Sequence, residues 1–265
     1  MKQAQAIYFA NRERVDQLPA DADFGPGALE TMRLEANGIP LWSLHRARLL
    51  RCSAIAPETL VAIETVIQSL SNTCSGWHTA GRVRLRLGRR AGQPGWDLSV
   101  VPFDPGTLWQ DGVSLVPCTT AFPRGQDNHR GCKTLDRAFY QRAAAELTGS
   151  ASGESDSREG LLLDADGNVI ETLRCNLLLW RAGRWVTPKL ERHGVRGVMR
   201  DWLLQRLPIA EATVSLEMLC RAEEVALCNS LRGVIPVVSL EGSQTWSRRR
   251  ETASLQKRIA DVLWK

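Results

Sequence analysis

Residues 82–87 read Arg-Val-Arg-Leu-Arg-Leu. Arginine at 82, 84 and 86 against an aliphatic residue at 83, 85 and 87 is a period of two. A helix has no use for that period, whereas a β-strand sends successive side chains to opposite faces. The segment is therefore a strand with one polar face. Residues 28–34 are also strand-like and run into Glu35-Ala-Asn-Gly38, where Asn-Gly predicts a hairpin turn. Residues 45–56 are helix-like. Pro57 suits the first turn of a following helix, in which Leu60, Ile63, Ile67 and Leu70 recur at helical spacing.

A second set of elements starts with a strand at 113–117. Leu135, Ala138, Phe139, Ala143 and Leu147 mark an amphipathic helix just after Lys133. Residues 160–163 and 168–170 flank the turn Asp164-Ala-Asp-Gly167, and 176–180 and 184–187 flank Ala182-Gly183. Val198, Met199, Trp202, Leu203 and Leu207 suit a helix opening at Gly197. Strands at 225–228 and 234–238 follow. Strands and helices interleave without a strict βαβ rhythm, which predicts an α+β fold in two lobes. Turn residues crowd 102–112, and 148–158 is rich in Gly, Ser and acids, an exposed loop. The expected division is an N-terminal α/β lobe at 1–104, a linker at 105–112 and a C-terminal lobe at 113–265.

At 265 residues, 43% hydrophobic and 24% charged, the chain has an ordinary globular composition, which excludes disordered and collagen-like classes. Seven scattered cysteines with no C-x-x-C pair argue for reduced thiols in a cytosol-like compartment and against a cysteine-rich zinc site. The net charge of +5 is almost all arginine, a residue that grips phosphates and carboxylates with two prongs. An excess this small is weak support for a nucleic-acid partner. There is no apolar run long enough for a membrane span and no signal-peptide core, so the expected location is the cytoplasm, without a membrane partner. The P-loop, a third glycine after Gly25-Pro-Gly27, H-E-x-x-H and G-x-S-x-G are all missing, and His45, His78, His129 and His193 have no metal-ligand spacing.

Several segments line up, in order, with one family. They are Phe24-Gly-Pro-Gly-Ala-Leu-Glu-Thr-Met-Arg33, His45-Arg-Ala-Arg-Leu49, Lys133-Thr-Leu-Asp-Arg137, Glu159 to Asp164, Glu171-Thr-Leu-Arg-Cys-Asn176, Thr187-Pro188, Gly194 to Arg200, and Cys228-Asn-Ser-Leu231 with Val234-Ile-Pro-Val237. The chain resembles the fold-type IV pyridoxal-phosphate enzymes, which include D-amino-acid and branched-chain aminotransferases and 4-amino-4-deoxychorismate lyases. The resemblance spans residues 24–237. It implies a two-lobed fold like that of D-amino-acid aminotransferase, pyridoxal 5'-phosphate as cofactor and a homodimer.

The resemblance also implies residue roles. Such an enzyme needs one lysine to condense with the cofactor aldehyde. The chain has only Lys2, Lys133, Lys189, Lys257 and Lys265, and two of these are terminal while Lys257 lies in a basic, tail-like segment. Lys133 is the match. Glu171 falls where the family places the carboxylate beside the ring nitrogen, with Asn176 following it. Arg48 would supply a guanidinium to the phosphate, Gly197, Val198 and Met199 the amides of a helix start, and Asn229 and Ser230 a further contact.

The Cys-Asn-Ser-Leu ending resembles the lyase branch, in which a threonine thought to assist catalysis maps onto Thr31. The implied reaction turns 4-amino-4-deoxychorismate into 4-aminobenzoate and pyruvate; a class IV aminotransferase acting on a D- or branched-chain amino acid is the alternative. A basic nucleic-acid surface at 82–90 and 248–250 is a third reading, from another class. Pro26 and Pro94 depart from the pattern. Pro94 stands where an arginine is expected, which leaves Arg84, Arg86 or Arg89 to grip a substrate carboxylate.

Overall fold

The computed structural model describes residues 5–20, 24, 27–71, 73, 77, 79–90, 92–105, 109, 111–124, 131–147 and 157–264. The chain divides into two units. The first comprises Met1–Pro105, Cys132–Asp136 and Ala260–Lys265, and the second Gly106–Gly131 and Arg137–Ile259.

In chain order the first unit holds β1 (Ile7–Ala10), β2 (Glu13–Val15), β3 (Ala28–Leu34), α1 (Trp42–Cys52), α2 (Pro57–Ser69), β4 (Ala80–Arg90) and β5 (Gln93–Phe103). The strands form an antiparallel sheet in the order β2-β1-β5-β4-β3. The alternating segment is β4. Its Val83 and Leu85 join Met32, Leu98 and Val100 in a core that takes Ile63 from α2. Pro57 occupies the first turn of α2, as its fixed φ allows. On the other face the arginines differ. Arg82 is exposed and Arg84 half-buried. Arg86 is buried, donating to Asp97 at 2.8 and 2.6 Å and to the Pro19 carbonyl at 2.7 Å.

Two expectations are corrected here. The Asn37-Gly38 turn forms, with Gly38 at φ +108° and Glu35 N–H donating to the Gly38 carbonyl at 2.9 Å. It leads into α1 rather than a second strand, and β3 pairs with β4 in unbroken register from Ala28↔Leu87 to Leu34↔Gly81. The alternation of β4 supplies the matching apolar face that the local turn signal could not weigh. The cysteines are also not all reduced, because Cys52 and Cys132 are disulfide-bonded across 80 positions. That pairing is made by the fold and leaves no trace in sequence spacing. Cys118, Cys175 and Cys228 are free and buried, and Cys220 is free and half-buried.

Residues 132–136 group with the first unit, not with the elements that surround them in sequence. Leu29 N–H donates to the Lys133 carbonyl at 2.9 Å and Leu135 N–H to the Gly27 carbonyl at 2.8 Å, so the strip pairs along β3. Position 27 must be glycine, since a Cβ there would lie 2.2 Å from the Leu87 carbonyl oxygen. Of the expected linker, 106–108 and 110 lie outside the described residues, as does 148–156 of the expected loop, and so do Pro26, His78 and His129. Trp109 is buried, with the Arg174 guanidinium 4.4 Å from its ring.

The second unit continues with β6 (Val113–Pro117), α3 (Ala138–Ala145), β7 (Arg158–Leu163), β8 (Asn168–Thr172), β9 (Asn176–Arg181), β10 (Arg184–Pro188), α4 (Val198–Leu204), β11 (Ala210–Ala212), β12 (Val214–Ser215), α5 (Leu216–Cys220), β13 (Glu224–Asn229), β14 (Gly233–Leu240), β15 (Gln244–Thr245) and α6 (Arg250–Leu263), whose residues from Ala260 on group with the first unit. Its sheet runs β11-β10-β9-β13-β14-β6-β7-β8-β12, with β15 on β14. Leu177, Leu178 and Leu179 of β9 are all buried, because this central strand is covered on both faces. The turn at 164–167 closes as expected, with Asp164 Oδ1 accepting from Asn168 N–H at 2.8 Å.

The tail-like reading of the segment around Lys257 is corrected: it lies in α6, which buries Leu255 and Ile259. The Glu224 carboxylate accepts the Glu251 and Thr252 N–H groups at 3.0 and 2.9 Å, an anion placed on the helix start. Among the described residues no helix is long and apolar enough to cross a membrane.

Candidate active site

The residues that the family motifs single out form a polar cluster in each unit. In the first unit, Glu30 and Thr31 are consecutive on β3 and so face opposite ways. His45 and Arg48, three apart on α1, share one helix face. Both reach Glu30. Arg48 donates to its two oxygens at 2.7 and 2.5 Å, and His45 Nδ1 lies 2.6 Å from Oε2. All three side chains are buried.

Burial pushes the Glu30 carboxyl up, but Arg48 and His45 outweigh it and leave it at about 2, against an ordinary 4.5. Burial also lowers His45, against the pull of Glu30. An ionised carboxylate cannot donate, so Nδ1 carries the imidazole hydrogen. Nε2 is buried without a hydrogen-bond partner among the described residues. Once protonated it is a donor that an anion would satisfy.

The depressed Glu30 carboxyl has a testable consequence. A carboxylate lowered on folding contributes stability above its unfolded pKa and loses it as pH falls through the folded one. Between about pH 4.5 and 2 this cluster therefore gives up about 3 kcal/mol. Denaturant midpoints across that window should show the loss in the native chain, and Glu30→Gln should remove most of this pH dependence.

On the other face, Lys133 Nζ donates to Thr31 Oγ1 at 2.8 Å. Lys133 is half-buried. Thr31 stands opposite Arg84, Arg84 opposite Ser99 and Ser99 opposite Tyr8, a row across the sheet that ends at the lysine. Arg89 is not part of it. It has the other parity, is exposed at the end of the β4–β5 hairpin, and donates to the Gly92 carbonyl at 3.0 Å.

In the second unit, Glu171 lies on β8 with its carboxylate buried. Tyr140 O–H donates to Oε1 at 2.6 Å, Val195 N–H to Oε2 at 2.9 Å, and Asn176 Nδ2 approaches Oε2 at 3.5 Å. Burial first, and then the Glu171 charge, push the Tyr140 phenol far above its usual range, so it stays a donor. The Arg137 guanidinium lies 3.6 Å from the Tyr140 ring centroid. Asn176 uses both ends of its amide. Nδ2 donates to the Val195 carbonyl at 2.9 Å, and Oδ1 accepts Gly197 N–H at 3.1 Å. A Cβ at 197 would sit 2.0 Å from that oxygen, so only glycine fits.

The Gly197 amide is thus engaged. Val198 and Met199 lie in the first turn of α4, where helix geometry leaves N–H groups without intrahelical acceptors. Asn229 is occupied as well. Its Oδ1 accepts Leu231 and Arg232 N–H at 3.0 and 2.9 Å, and its Nδ2 donates to Cys175 Sγ at 3.1 Å, which shapes the turn holding Ser230. Tyr140 has no distinguishing signal in the sequence, since an aromatic residue on an amphipathic helix looks like core. Glu30 and His45 lie inside the family motifs, but their pairing needs the packing of α1 on β3.

Residues 27–240 match the family model Amino-transferase class IV, and the chain belongs to that family. It has the fold-type IV architecture, and its cofactor is pyridoxal 5'-phosphate. The aminodeoxychorismate lyase of Vibrio harveyi is 27% identical over 238 residues, 83% of this chain and 85% of that protein. The crystal structure of 4-amino-4-deoxychorismate lyase from Pseudomonas aeruginosa superposes with a TM-score of 0.80 at 30% identity, covering 97% of this chain and 99% of that one. A probable branched-chain-amino-acid aminotransferase of Synechocystis is 26% identical over 160 residues, 58% of this chain and 51% of that protein.

Proposed function

We propose that this class IV enzyme is a carbon–oxygen lyase that converts 4-amino-4-deoxychorismate to 4-aminobenzoate and pyruvate, a step toward folate. The observation that carries the reading is the Thr31 hydroxyl 2.8 Å from Lys133 Nζ, a proton carrier beside the one lysine that the family motif selects. The donor set suits the cofactor: an amine, a buried carboxylate, a buried guanidinium and a buried imidazole nitrogen without a partner among the described residues. On this reading Arg48 would offer its guanidinium to the phosphate, and Val198 and Met199 of the second unit would be candidates to offer helix-start amides. Glu171 would supply the carboxylate for the ring nitrogen, and Asn176 fixes the backbone of 195–197. Gly197, Asn229 and Ser230 shape the backbone around the phosphate.

When bound, pyridoxal phosphate supplies an electron sink next to the amine-bearing carbon of the substrate. Lys133 would hold the cofactor, and its amine, beside the Thr31 hydroxyl at 2.8 Å, is the group that would carry the proton. Thr31 accepts a hydrogen bond from Lys133 Nζ, and its hydroxyl would relay a proton to the departing enol oxygen of pyruvate. Arg84, in line with Thr31 on the same sheet face, grips a substrate carboxylate; Arg89, on the opposite parity, is the weaker candidate. Aromatisation of the product drives the elimination, so no keto acid is consumed. The working form on this reading is a cytosolic homodimer with a small-molecule substrate and no nucleic-acid or membrane partner.

The branched-chain aminotransferase relative supports the second reading, amine transfer on a D- or branched-chain amino acid. Thr31→Val separates the two. It should lower 4-aminobenzoate release by about 10²-fold, the scale of a lost general acid, while the holoenzyme still forms. Release at the native rate in the variant, or release that requires an added keto acid, contradicts the lyase reading.

A further inference from the structure

We propose that Cys52 and Cys132 are a reversible dithiol–disulfide site, opened and closed by low-molecular-weight thiols and disulfides, whose state is coupled to cofactor binding through Lys133. The coupling half of this inference rests on the role given above to Lys133. Cys52 is the last residue of α1, the helix that holds His45 and Arg48 against Glu30. Cys132 immediately precedes Lys133 in the strip that pairs with β3. The bond therefore joins two carriers of the first-unit cluster directly, the phosphate-side helix and the lysine strip. Both cysteines are half-buried residues, whereas Cys118, Cys175 and Cys228 are buried. A disulfide in a chain read as cytosolic belongs to the kind that cycles, because that compartment reduces static ones.

The chemistry balances with a named co-reactant. One thiol loses its proton and attacks a small disulfide, releasing a small thiolate and leaving a mixed disulfide. The second protein thiolate attacks the cysteine sulfur of that mixed bond and expels the second small thiolate. The protein gives up two protons and two electrons, and the small disulfide becomes two thiols. Reduction runs the same steps backwards. If the closed bond favours cofactor binding, linkage requires that bound cofactor favour the closed bond by the same factor.

The test equilibrates the full-length protein in glutathione buffers of graded potential, with and without pyridoxal phosphate. Thiols are counted after quenching and denaturation, and the 52–132 cross-link is read by peptide mass. With seven cysteines in the chain and two in the bond, the count should move between seven and five. Pyridoxal phosphate should shift the midpoint toward more reducing potentials. A coupling of about tenfold corresponds to a shift of about 30 mV for two electrons. Cys52→Ser should show no transition and should bind the cofactor as the reduced native protein does.

A count that stays at seven, or stays at five, at every potential overturns the reversible site. A midpoint that does not move with cofactor overturns the coupling. Borohydride fixation of the cofactor, mapped in parallel, keeps the two ideas apart. Label away from Lys133 removes the lysine assignment and leaves the thiol count to stand or fall alone, while label on Lys133 with an unmoved midpoint removes only the coupling.

Discussion

Lys133→Ala should lose at least about 10⁴-fold in turnover, the upper end of what a positioned proton-transfer group contributes. Two jobs disappear with one side chain, the covalent hold on the cofactor and the removal of the substrate proton. The fold should survive. Lys133 is half-buried, its side chain donates to Thr31, and the backbone bonds that fix the strip come from its carbonyl and from Leu135. Circular dichroism and denaturant midpoints close to native, together with lost activity, are the expected pair of results. Turnover near the native rate in this variant would remove the lysine from its role.

Glu171→Gln should fold and still take up cofactor, but its turnover should fall by roughly 10²- to 10³-fold, the scale for one lost electrostatic partner. The substitution keeps the shape and removes the charge. Val195 N–H and Asn176 Nδ2 both point at Oε2, and a glutamine carbonyl can replace that oxygen. The glutamine NH₂ then meets Tyr140, whose hydroxyl can turn to accept it. What is lost is the anion that would keep a facing ring nitrogen protonated. Steady-state kinetics with a titration of the bound cofactor's visible absorption across pH measures this. A native kcat with an unchanged pH profile would show that Glu171 is a structural carboxylate only.

Much of this protein is legible in its sequence where one local rule suffices. The period of two in residues 82–87, Pro57 at a helix start and Ala182-Gly183 between two strands each name an element without help from the rest of the chain, and each is found in place. The site is legible only in part, because its motifs reveal residue types but not what those residues touch. The Asn176 motif does not show that its amide bonds the backbone of residues 195–197. Nor does the motif show that Asn229 Oδ1 accepts the Leu231 and Arg232 N–H groups of its own turn.

The opposite failure is Cys52 with Cys132, a contact across 80 positions that depends on α1 and the lysine strip both packing on β3. Periodicity within a window cannot carry such a pairing. Residues 132–136 illustrate the same limit at the level of units, since backbone bonds to Gly27 and Leu29, not sequence proximity, decide where they group.

The most direct measurement is to reduce the cofactor-loaded protein with borohydride and map the modified peptide by mass. The visible absorption should bleach, and the pyridoxyl mass should sit on Lys133 alone. A mass on Lys189, on Lys257 or on no lysine at all would contradict that assignment.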